Sequence, residues 1–311
     1  MSAETFDCRV TYAATLIELA KADRDLVVVV NDSVGSSKLD GFKRDLPEQM
    51  INVGIAEQDM VGVAAGLSNG GKTPVVSGAG CFLSARAMEQ IKADLAYSQR
   101  HVILAAQSPG VAYGALGATH HSIEDVAWMR VLPHMSVIVP ADPQETEQAL
   151  RWAYGHDGPV YLRISRAKVP AVHTPEQVFS PGRAHTIREG SDVTIMANGT
   201  VLHRAVRAAE LLEARGVSAR VLSFASVKPL DEAAVIAAAS QTRGSVTVEE
   251  GLRDGGLGGA VAEVVARTVP CRVTALGLPD TFAPTGSDAW ILDHFGMSPE
   301  GIADAAQDLV N

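Results

Sequence analysis

Residues 50–60, MINVGIAEQDM, join a short apolar strand to a helix and decide the fold of the first half of the chain. Apolar residues recur at helical spacing over 60–67, and Gly70 ends the pattern. Glu57 therefore lies at a strand-to-helix junction. Ligands of parallel α/β sheets are held at the carboxyl ends of strands, so this position predicts a functional carboxylate. The alternative is that Glu57 only complements the positive end of the helix dipole.

The same alternation of strand and helix continues along the whole chain. Strands separated by helical segments indicate parallel pairing, so we predict an α/β protein of two doubly wound domains. Beyond the stretch at 50–60, strands are predicted at 26–30, 73–76, 102–106, 136–139, 159–164, 192–196, 218–222, 245–249 and 272–276. Helices are predicted at 11–20, 56–69, 83–97, 123–131, 143–154, 202–215, 231–239, 258–267 and 299–309.

Periodicity is lost from residue 171 to residue 190, where Pro, Gly and charged residues accumulate. Such a composition is typical of a connection between domains. We therefore predict a first domain over residues 1–172, a linker over 173–190 and a second domain over 191–311.

Two helix starts and one glycine cluster carry specific local signals. Asp142-Pro143 supplies a capping residue and then proline at the first turn, and Ser122 with Asp125 resembles a capping box. The sequence GGLGG at 255–259 opens a helix, where it could receive an anion. Close packing of that helix on a strand is the favoured interpretation.

Composition excludes several classes of function. The net charge of -10 and pI near 5.4 argue against binding to nucleic acid or an anionic membrane, since both need a basic surface. Cys8, Cys81 and Cys271 lie far apart, so neither a zinc site nor a disulfide framework is indicated. We find no basic apolar leader and no run of about 18 apolar residues that could span a bilayer. These features predict a soluble, cytoplasmic protein.

Five separated motifs point to one family. In order they are NVGIAEQDMVGVAAGLSNGGKTPVV, GAGCFL, GATHHSIED, VPADPQE and YLRISRAKVP. Together they resemble the pyrimidine-binding domain of the transketolase family, and the resemblance continues into a second domain like the transketolase C-terminal domain. It implies dependence on thiamine diphosphate, a cofactor that carries the carbanion chemistry while the protein places and tunes it.

The resemblance assigns roles to four residues. Glu57 matches the glutamate that hydrogen-bonds N1′ of the cofactor's aminopyrimidine, and Phe82 matches the aromatic residue stacked on that ring. His120 matches the histidine that contacts the donor's oxygens, a role suited to a group that exchanges protons near neutral pH. Arg166 matches the arginine that binds a substrate phosphate. An ordinary core Phe82 and a solvent-exposed His120 are the alternatives.

Further positions have weaker assignments. Asp32 matches a position near the cofactor and acceptor channel, with a turn-forming Asp as the alternative, and Ser36 and His121 are candidate substrate contacts. Two departures affect the substrate. Leu116 stands where sugar-phosphate transketolases have Asp, and Ser108 stands where they have a substrate-contacting His.

Two basic residues near the proposed phosphate site, Arg163 and Lys168, either assist Arg166 or face water. Cys81, beside Phe82, is predicted to be a small apolar filler rather than a nucleophile, because no histidine is placed near it in the sequence.

One missing motif predicts the assembly. The family binds the diphosphate through Mg²⁺ held by a G-D-G sequence and a later Asn, and this chain has no G-D-G. We therefore expect no metal ligand in this chain and a separate N-terminal-section subunit that supplies the diphosphate and Mg²⁺ site, in an α2β2 heterotetramer acting on sugar phosphates.

The predicted activity is transfer of a two-carbon ketol unit from a ketose, or ketose phosphate, to an aldehyde. The alternatives are the β-subunit of a 2-oxo acid dehydrogenase, a 1-deoxyxylulose-5-phosphate-synthase-like enzyme, and a non-catalytic assembly or regulatory partner.

Overall fold

A computed structural model describes residues 4–311 and shows two α/β units, each built on a sheet with helices on both faces. The doubly wound architecture predicted from the alternation is confirmed. The strands in chain order are β1 (Phe6–Asp7), β2 (Leu26–Val30), β3 (Met50–Asn52), β4 (Thr73–Ala79), β5 (Ile103–Gln107), β6 (Ser136–Ile138), β7 (Val160–Ile164), β8 (Lys168–Val169), β9 (His185–Arg188), β10 (Val193–Ala197), β11 (Ala219–Ser223), β12 (Ser226–Lys228), β13 (Gly244–Leu252) and β14 (Arg272–Leu278).

The helices follow the predicted segments closely, with three differences. The predicted helix 83–97 is divided into α4, α5 and a π-helical segment, Ile91–Tyr97, and neither α2 nor α11 was predicted. The α-helices are α1 (Cys8–Ala22), α2 (Asp40–Asp45), α3 (Glu57–Asn69), α4 (Gly80–Arg86), α5 (Met88–Gln90), α6 (Asp125–Val131), α7 (Pro143–Gly155), α8 (Leu202–Ala214), α9 (Glu232–Gln241), α10 (Leu257–Arg267), α11 (Asp288–His294) and α12 (Pro299–Val310). No helix in the described part of the chain is long and apolar enough to cross a bilayer.

The larger sheet has the order β12-β6-β7-β5-β4-β2-β3 within residues 4–311, and all its pairings are parallel except that of β12. Helices α1 and α7 cover one face, and α3, α4 and α6 cover the other. Strand β2 is a run of apolar residues, all buried, because both faces of the sheet are covered. This parallel sheet brings the carboxyl ends of β2, β3, β4, β5 and β7 to one edge.

The smaller sheet has the order β14-β13-β10-β11-β9 within the described residues. Helices α8 and α12 pack on one face, and α9 and α10 pack on the other. Two strands in this half of the chain, β9 and β12, were not predicted from the periodicity of the sequence. Strand β12 leaves this half of the chain and pairs antiparallel with β6 of the larger sheet. Strand β9 lies inside the segment predicted as the linker, and the domain limits stay a prediction.

The two predicted helix starts have different outcomes. Asp142 caps α7, since its side chain accepts a hydrogen bond from the backbone N–H of Glu145 at 3.0 Å. The capping box at Ser122 and Asp125 is wrong. Helix α6 begins at Asp125, and Ser122 instead exchanges two backbone hydrogen bonds with Gly110. The side chain of Asp125 is buried because it pairs with a cation on β7.

Close packing at the glycine cluster is confirmed. A Cβ on Gly258 would lie 2.9 Å from the Cβ of Ala275, so only glycine lets α10 approach β14. The anion at the start of this helix is the chain's own Glu249, which accepts hydrogen bonds from the N–H groups of Leu257 and Gly258 at 2.9 Å each. These two N–H groups at the start of α10 therefore already have a hydrogen-bond acceptor within the chain.

Arg163, on β7, neither assists a phosphate site nor faces water. Its buried guanidinium donates to the Asp125 carboxylate at 2.9 Å and to the carbonyls of Ser122 and Glu250 at 3.0 and 3.1 Å. Glu250 belongs to the smaller sheet, so Arg163 joins the two units. Lys168 is exposed, which agrees with the alternative that it faces water.

Candidate active site

Glu57 is a buried carboxylate at the junction between β3 and α3. The chain turns at Gly54, whose φ of 77° is readily adopted by glycine, and Glu57 is the first residue of α3. Its side chain is 1% exposed, and Asn31 at the end of β2 donates a hydrogen bond to its Oε1 at 3.1 Å. A carboxylate that only complemented a helix dipole would lie in solvent, so this burial favours a specific role.

Arg86, on α4, pairs with Glu57 and contacts a neighbouring aromatic ring. Its guanidinium donates to Glu57 Oε2 at 2.7 Å and lies over the ring of Phe82, 4.7 Å from the centroid. Burial raises the pKa of Glu57, but hydrogen bonds from Arg86 and Asn31 outweigh it, so the pKa lies below its ordinary value. Glu57 and Phe82 therefore share one site, and Glu57 is ionised there.

His120 lies in the same site, on the loop between β5 and α6. Its ring stands edge-on to Phe82 at 5.3 Å and to Tyr113 at 6.1 Å between centroids. Its Nδ1 lies 3.1 Å from the hydroxyl of Thr119. Residues 108–122, which we call the histidine loop, thus bring His120 against the Phe82 ring, which Arg86 also contacts.

The histidine loop is held by the smaller sheet as well as by its own ends. Gly110 and Ser122 pair at its base, and the N–H of Val111 donates to the Glu250 carboxylate at 2.9 Å. Near its tip, the N–H of Gly286 donates to the carbonyl of Gly114 at 3.2 Å. The loop that carries His120 is therefore fixed between both units.

Arg166 follows β7 and is exposed, and its guanidinium lies over the Tyr113 ring, 4.9 Å from the centroid. Within residues 4–311 it has no carboxylate within 4.0 Å. A line of side chains consequently runs from Glu57 through Phe82, His120 and Tyr113 to Arg166. Four of the predicted site residues lie along it.

Other predicted site residues lie outside this line. Asp32 and Ser36 are on the exposed loop after β2, where the Asp32 carboxylate accepts from the Ser33 hydroxyl at 3.4 Å and the Ser36 hydroxyl donates to the Ser33 carbonyl at 3.0 Å. His121 is buried, which lowers the pKa of its ring, while the backbone of Gly114 partly opposes that shift. We therefore keep Asp32, Ser36 and His121 only as predictions.

The two positions that depart from the family pattern differ in exposure. Ser108 is buried in a left-handed backbone conformation, with a φ of 52°, and its N–H donates to the carbonyl of Ile164 at 2.8 Å. Leu116 is exposed on the histidine loop. Cys81 is buried and its thiol pKa is raised to about 11, mainly by burial, which agrees with an apolar filler.

Sequence reasoning missed Asn31, Arg86 and Tyr113. Asn31 and Arg86 are 26 and 29 residues from Glu57 and meet it only because β2 lies between β3 and β4 in the sheet. An Asn directly after a buried strand was a usable signal, since polar groups at strand ends face the ligand edge. Nothing local marked Arg86 or Tyr113.

The donor set fits the aminopyrimidine end of thiamine diphosphate. A buried carboxylate can share a proton with a ring nitrogen, and the half-buried Phe82 offers a face to a flat heterocycle. The described residues contain no cluster of three or more His, Cys, Asp or Glu side chains that could hold a metal ion. The site can therefore orient a heterocycle and exchange protons.

Two family models match the chain. The model described as "Transketolase, pyrimidine binding domain" matches residues 4–172, and the model described as "Transketolase, C-terminal domain" matches residues 182–302. The first contains all of the site described above, and the second contains the strand and turn that hold the histidine loop.

Similar proteins cover the same length. One subunit of an apulose-4-phosphate transketolase from Phocaeicola vulgatus is 43% identical over 97% of both chains. The SqwH subunit of a 6-deoxy-6-sulfo-D-fructose transketolase from a Clostridium species is 36% identical over 97% of this chain and 94% of its own. A solved structure of an inactive β4 tetramer of a split-gene transketolase is 39% identical, with a TM-score of 0.89 and 99% of both chains covered.

We predict that Arg86→Gln raises the pKa of Glu57 in the free chain, because it removes the cation that stabilises the carboxylate. A ¹³C NMR titration of the Glu57 carboxyl carbon measures this directly. Arg166→Gln is the matched control, because this second exposed arginine of the site lies over Tyr113, and it should leave the Glu57 titration unchanged. An identical Glu57 titration in the Arg86 variant would contradict the prediction.

Proposed function

The chain belongs to the transketolase family as the second subunit of a split enzyme, and on that premise we propose that Glu57, Phe82, His120 and Arg166 form its half of the active site. The enzyme transfers a two-carbon ketol unit from a ketose to an aldehyde. The buried carboxylate of Glu57, placed beside Phe82 and His120, is the observation that carries the assignment.

Each side chain has a role set by its surroundings. Thiamine diphosphate, when bound, supplies the carbanion chemistry. Glu57 would share a proton with N1′ of the aminopyrimidine, and the hydrogen bond that Asn31 donates orients its carboxylate. Phe82 would pack against the face of that ring. His120 gives or takes a proton at the substrate oxygens, the role that an imidazole most often has in general acid–base catalysis.

The substrate is a ketose with a terminal anion. Arg166 is a planar cation that binds a tetrahedral oxyanion through two hydrogen bonds, and an acidic chain needs such a dedicated group. Leu116 has no polar side chain and the Ser108 hydroxyl is buried, so neither replaces the Asp and His that recognise the standard sugar in the family pattern. The relatives' names, which specify apulose 4-phosphate and 6-deoxy-6-sulfofructose, support a modified ketose as donor.

The partner is a subunit that carries the diphosphate and Mg²⁺ site, in an α2β2 heterotetramer. Support comes from an apolar groove of about 380 Å³ beside the site. Helix α4 carries Phe82 on the site and Ala85 in the groove, so a subunit seated there reaches the cofactor. The groove is lined by Ala85, Met88, Lys92, Trp128, Val131 and Leu132. Free cysteines among the described residues and a sugar-phosphate substrate suit the cytoplasm.

The alternatives have less support. Three relatives that match this chain over nearly their full length are transketolase subunits, which disfavours a 1-deoxyxylulose-5-phosphate-synthase-like activity. The GATHH and SRAKVP sequences favour a transketolase over a 2-oxo acid dehydrogenase. A non-catalytic partner would have no physical reason to bury Glu57 beside Phe82 and His120.

The first prediction concerns catalysis. The chain alone should be inactive. In the reconstituted complex, Glu57→Gln should lower kcat by about 10²–10⁴-fold, because an amide, unlike a carboxylate, cannot exchange a proton with N1′. Steady-state kinetics and hydrogen–deuterium exchange at the cofactor's C2 measure the loss. Glu89→Gln, an exposed substitution of the same type, is the control. Unchanged turnover in Glu57→Gln would refute the assignment.

A second prediction tests the groove. Val131→Asp should weaken binding of the partner subunit at least about tenfold, because a charge would be buried in an apolar interface. Val131 is 73% exposed in the free chain, so the substitution should not disturb the fold. Val178→Asp is the matched control, since Val178 is 70% exposed on the linker segment. Equal affinities of both variants in analytical ultracentrifugation would place the interface elsewhere.

A third prediction concerns the donor. Xylulose 5-phosphate with ribose 5-phosphate should give kcat/KM below roughly 10⁴ per M per s, and apulose 4-phosphate should exceed it. The reason is that Leu116 and Ser108 leave hydroxyl groups of the standard sugar without partners. Competition between the two donors in the reconstituted complex measures the preference. A higher value for xylulose 5-phosphate would show that these two residues do not set specificity.

A further inference from the structure

Tyr113 is the side chain between the proton-exchanging histidine and the free arginine. Its ring stands edge-on to that of His120, with 6.1 Å between the ring centroids. The guanidinium carbon of Arg166 lies over the Tyr113 ring, 4.9 Å from its centroid. Resting on the proposed function, we propose that Tyr113 is a positioning and specificity-determining residue, which holds Arg166 at a fixed separation from His120 and so selects ketoses with a terminal oxyanion at the matching distance.

The first support comes from the exposure and the surroundings of the Arg166 side chain. It is exposed at the end of β7, and within residues 4–311 it has neither a carboxylate within 4.0 Å nor a side-chain hydrogen bond. A flexible, solvated arginine loses conformational entropy when it binds an anion. The Tyr113 ring restricts it beforehand through a cation–π contact, while leaving its N–H groups available.

The second support is the rigidity of Tyr113 itself. Its carbonyl accepts from the N–H of Leu116 at 2.7 Å, and the next residue, Gly114, accepts from Gly286 of the second unit. A Cβ on Gly114 would clash with the Gly286 carbonyl oxygen, so the two backbones are in direct contact. The ring is therefore mounted on a fixed backbone, as a specificity-determining group must be.

The third support is the chemistry along the line. Between His120 and Arg166 a substrate would meet the Tyr113 ring. This ring suits a substrate whose ends are polar and whose middle makes few hydrogen bonds. Phosphate and sulfonate share the tetrahedral oxyanion that Arg166 would bind, and the experiment separates the two.

The test is a double-mutant cycle with Tyr113→Ala and Arg166→Ala in the reconstituted complex. Tyr113→Ala should raise KM for a phosphorylated ketose about tenfold, equivalent to roughly 1.4 kcal/mol, with a smaller effect on kcat. In the double variant the two effects should not multiply, because Tyr113 acts through Arg166. Tyr113→Phe keeps the ring and should recover most of the loss. The same cycle with a sulfonated ketose shows which oxyanion depends on the pair.

Two kinetic outcomes would overturn the proposal. One is that the effects of Tyr113→Ala and Arg166→Ala multiply fully. The other is that Tyr113→Ala impairs the ketose with and without its anion equally, which would make Tyr113 merely structural.

A second measurement does not need activity. In NMR spectra of the full chain, the Arg166 δ protons should be shifted upfield by the Tyr113 ring, and inorganic phosphate should perturb them. Tyr113→Phe should keep the shift and Tyr113→Leu should remove it, even if Tyr113→Ala fails to fold. Absence of the shift in the unmodified chain would overturn the proposal. An inactive complex that retains the shift and the phosphate response would instead refute the proposed function.

Discussion

A single buried cation, Arg163, joins the parts of this protein that must stay together. Its guanidinium donates to the Asp125 carboxylate on α6, to the Ser122 carbonyl at the end of the histidine loop and to the Glu250 carbonyl on β13. A buried guanidinium is tolerated only when its charge and its N–H groups are paired. Every one of these partners is therefore held in place by the same requirement.

This arrangement gives the second unit a part in the active site. Glu250 is buried; burial raises the pKa of its carboxyl while Arg163 and hydrogen bonds from Thr200 and Val111 oppose the rise. Val111 lies near the start of the histidine loop, and Gly286 supports its tip. The second unit thus fixes the backbone that carries His120. It contributes no side chain to the line that runs from Glu57 to Arg166.

The environment of Glu57 differs from that of a carboxylate at an ordinary helix start. Burial alone would favour its neutral form, but Asn31 and Arg86 stabilise the ionised form. Arg86 also covers the ring of Phe82. One cation therefore contacts both groups proposed to hold the aminopyrimidine.

The sequence by itself determined the order of the main strands and helices and the positions of Glu57, Phe82, His120 and Arg166 after strands or in long loops. Periodicity and glycine spacing are local properties, and parallel sheets place their strand ends at one edge. Only the tertiary structure decided that Arg163 is a structural cation, that Asp125 is its partner rather than a cap, and that β12 crosses to the larger sheet. Asn31, Arg86 and Tyr113 likewise join the site through contacts between segments far apart in sequence. Such contacts depend on which strands become neighbours, and no local pattern of residues carries that information.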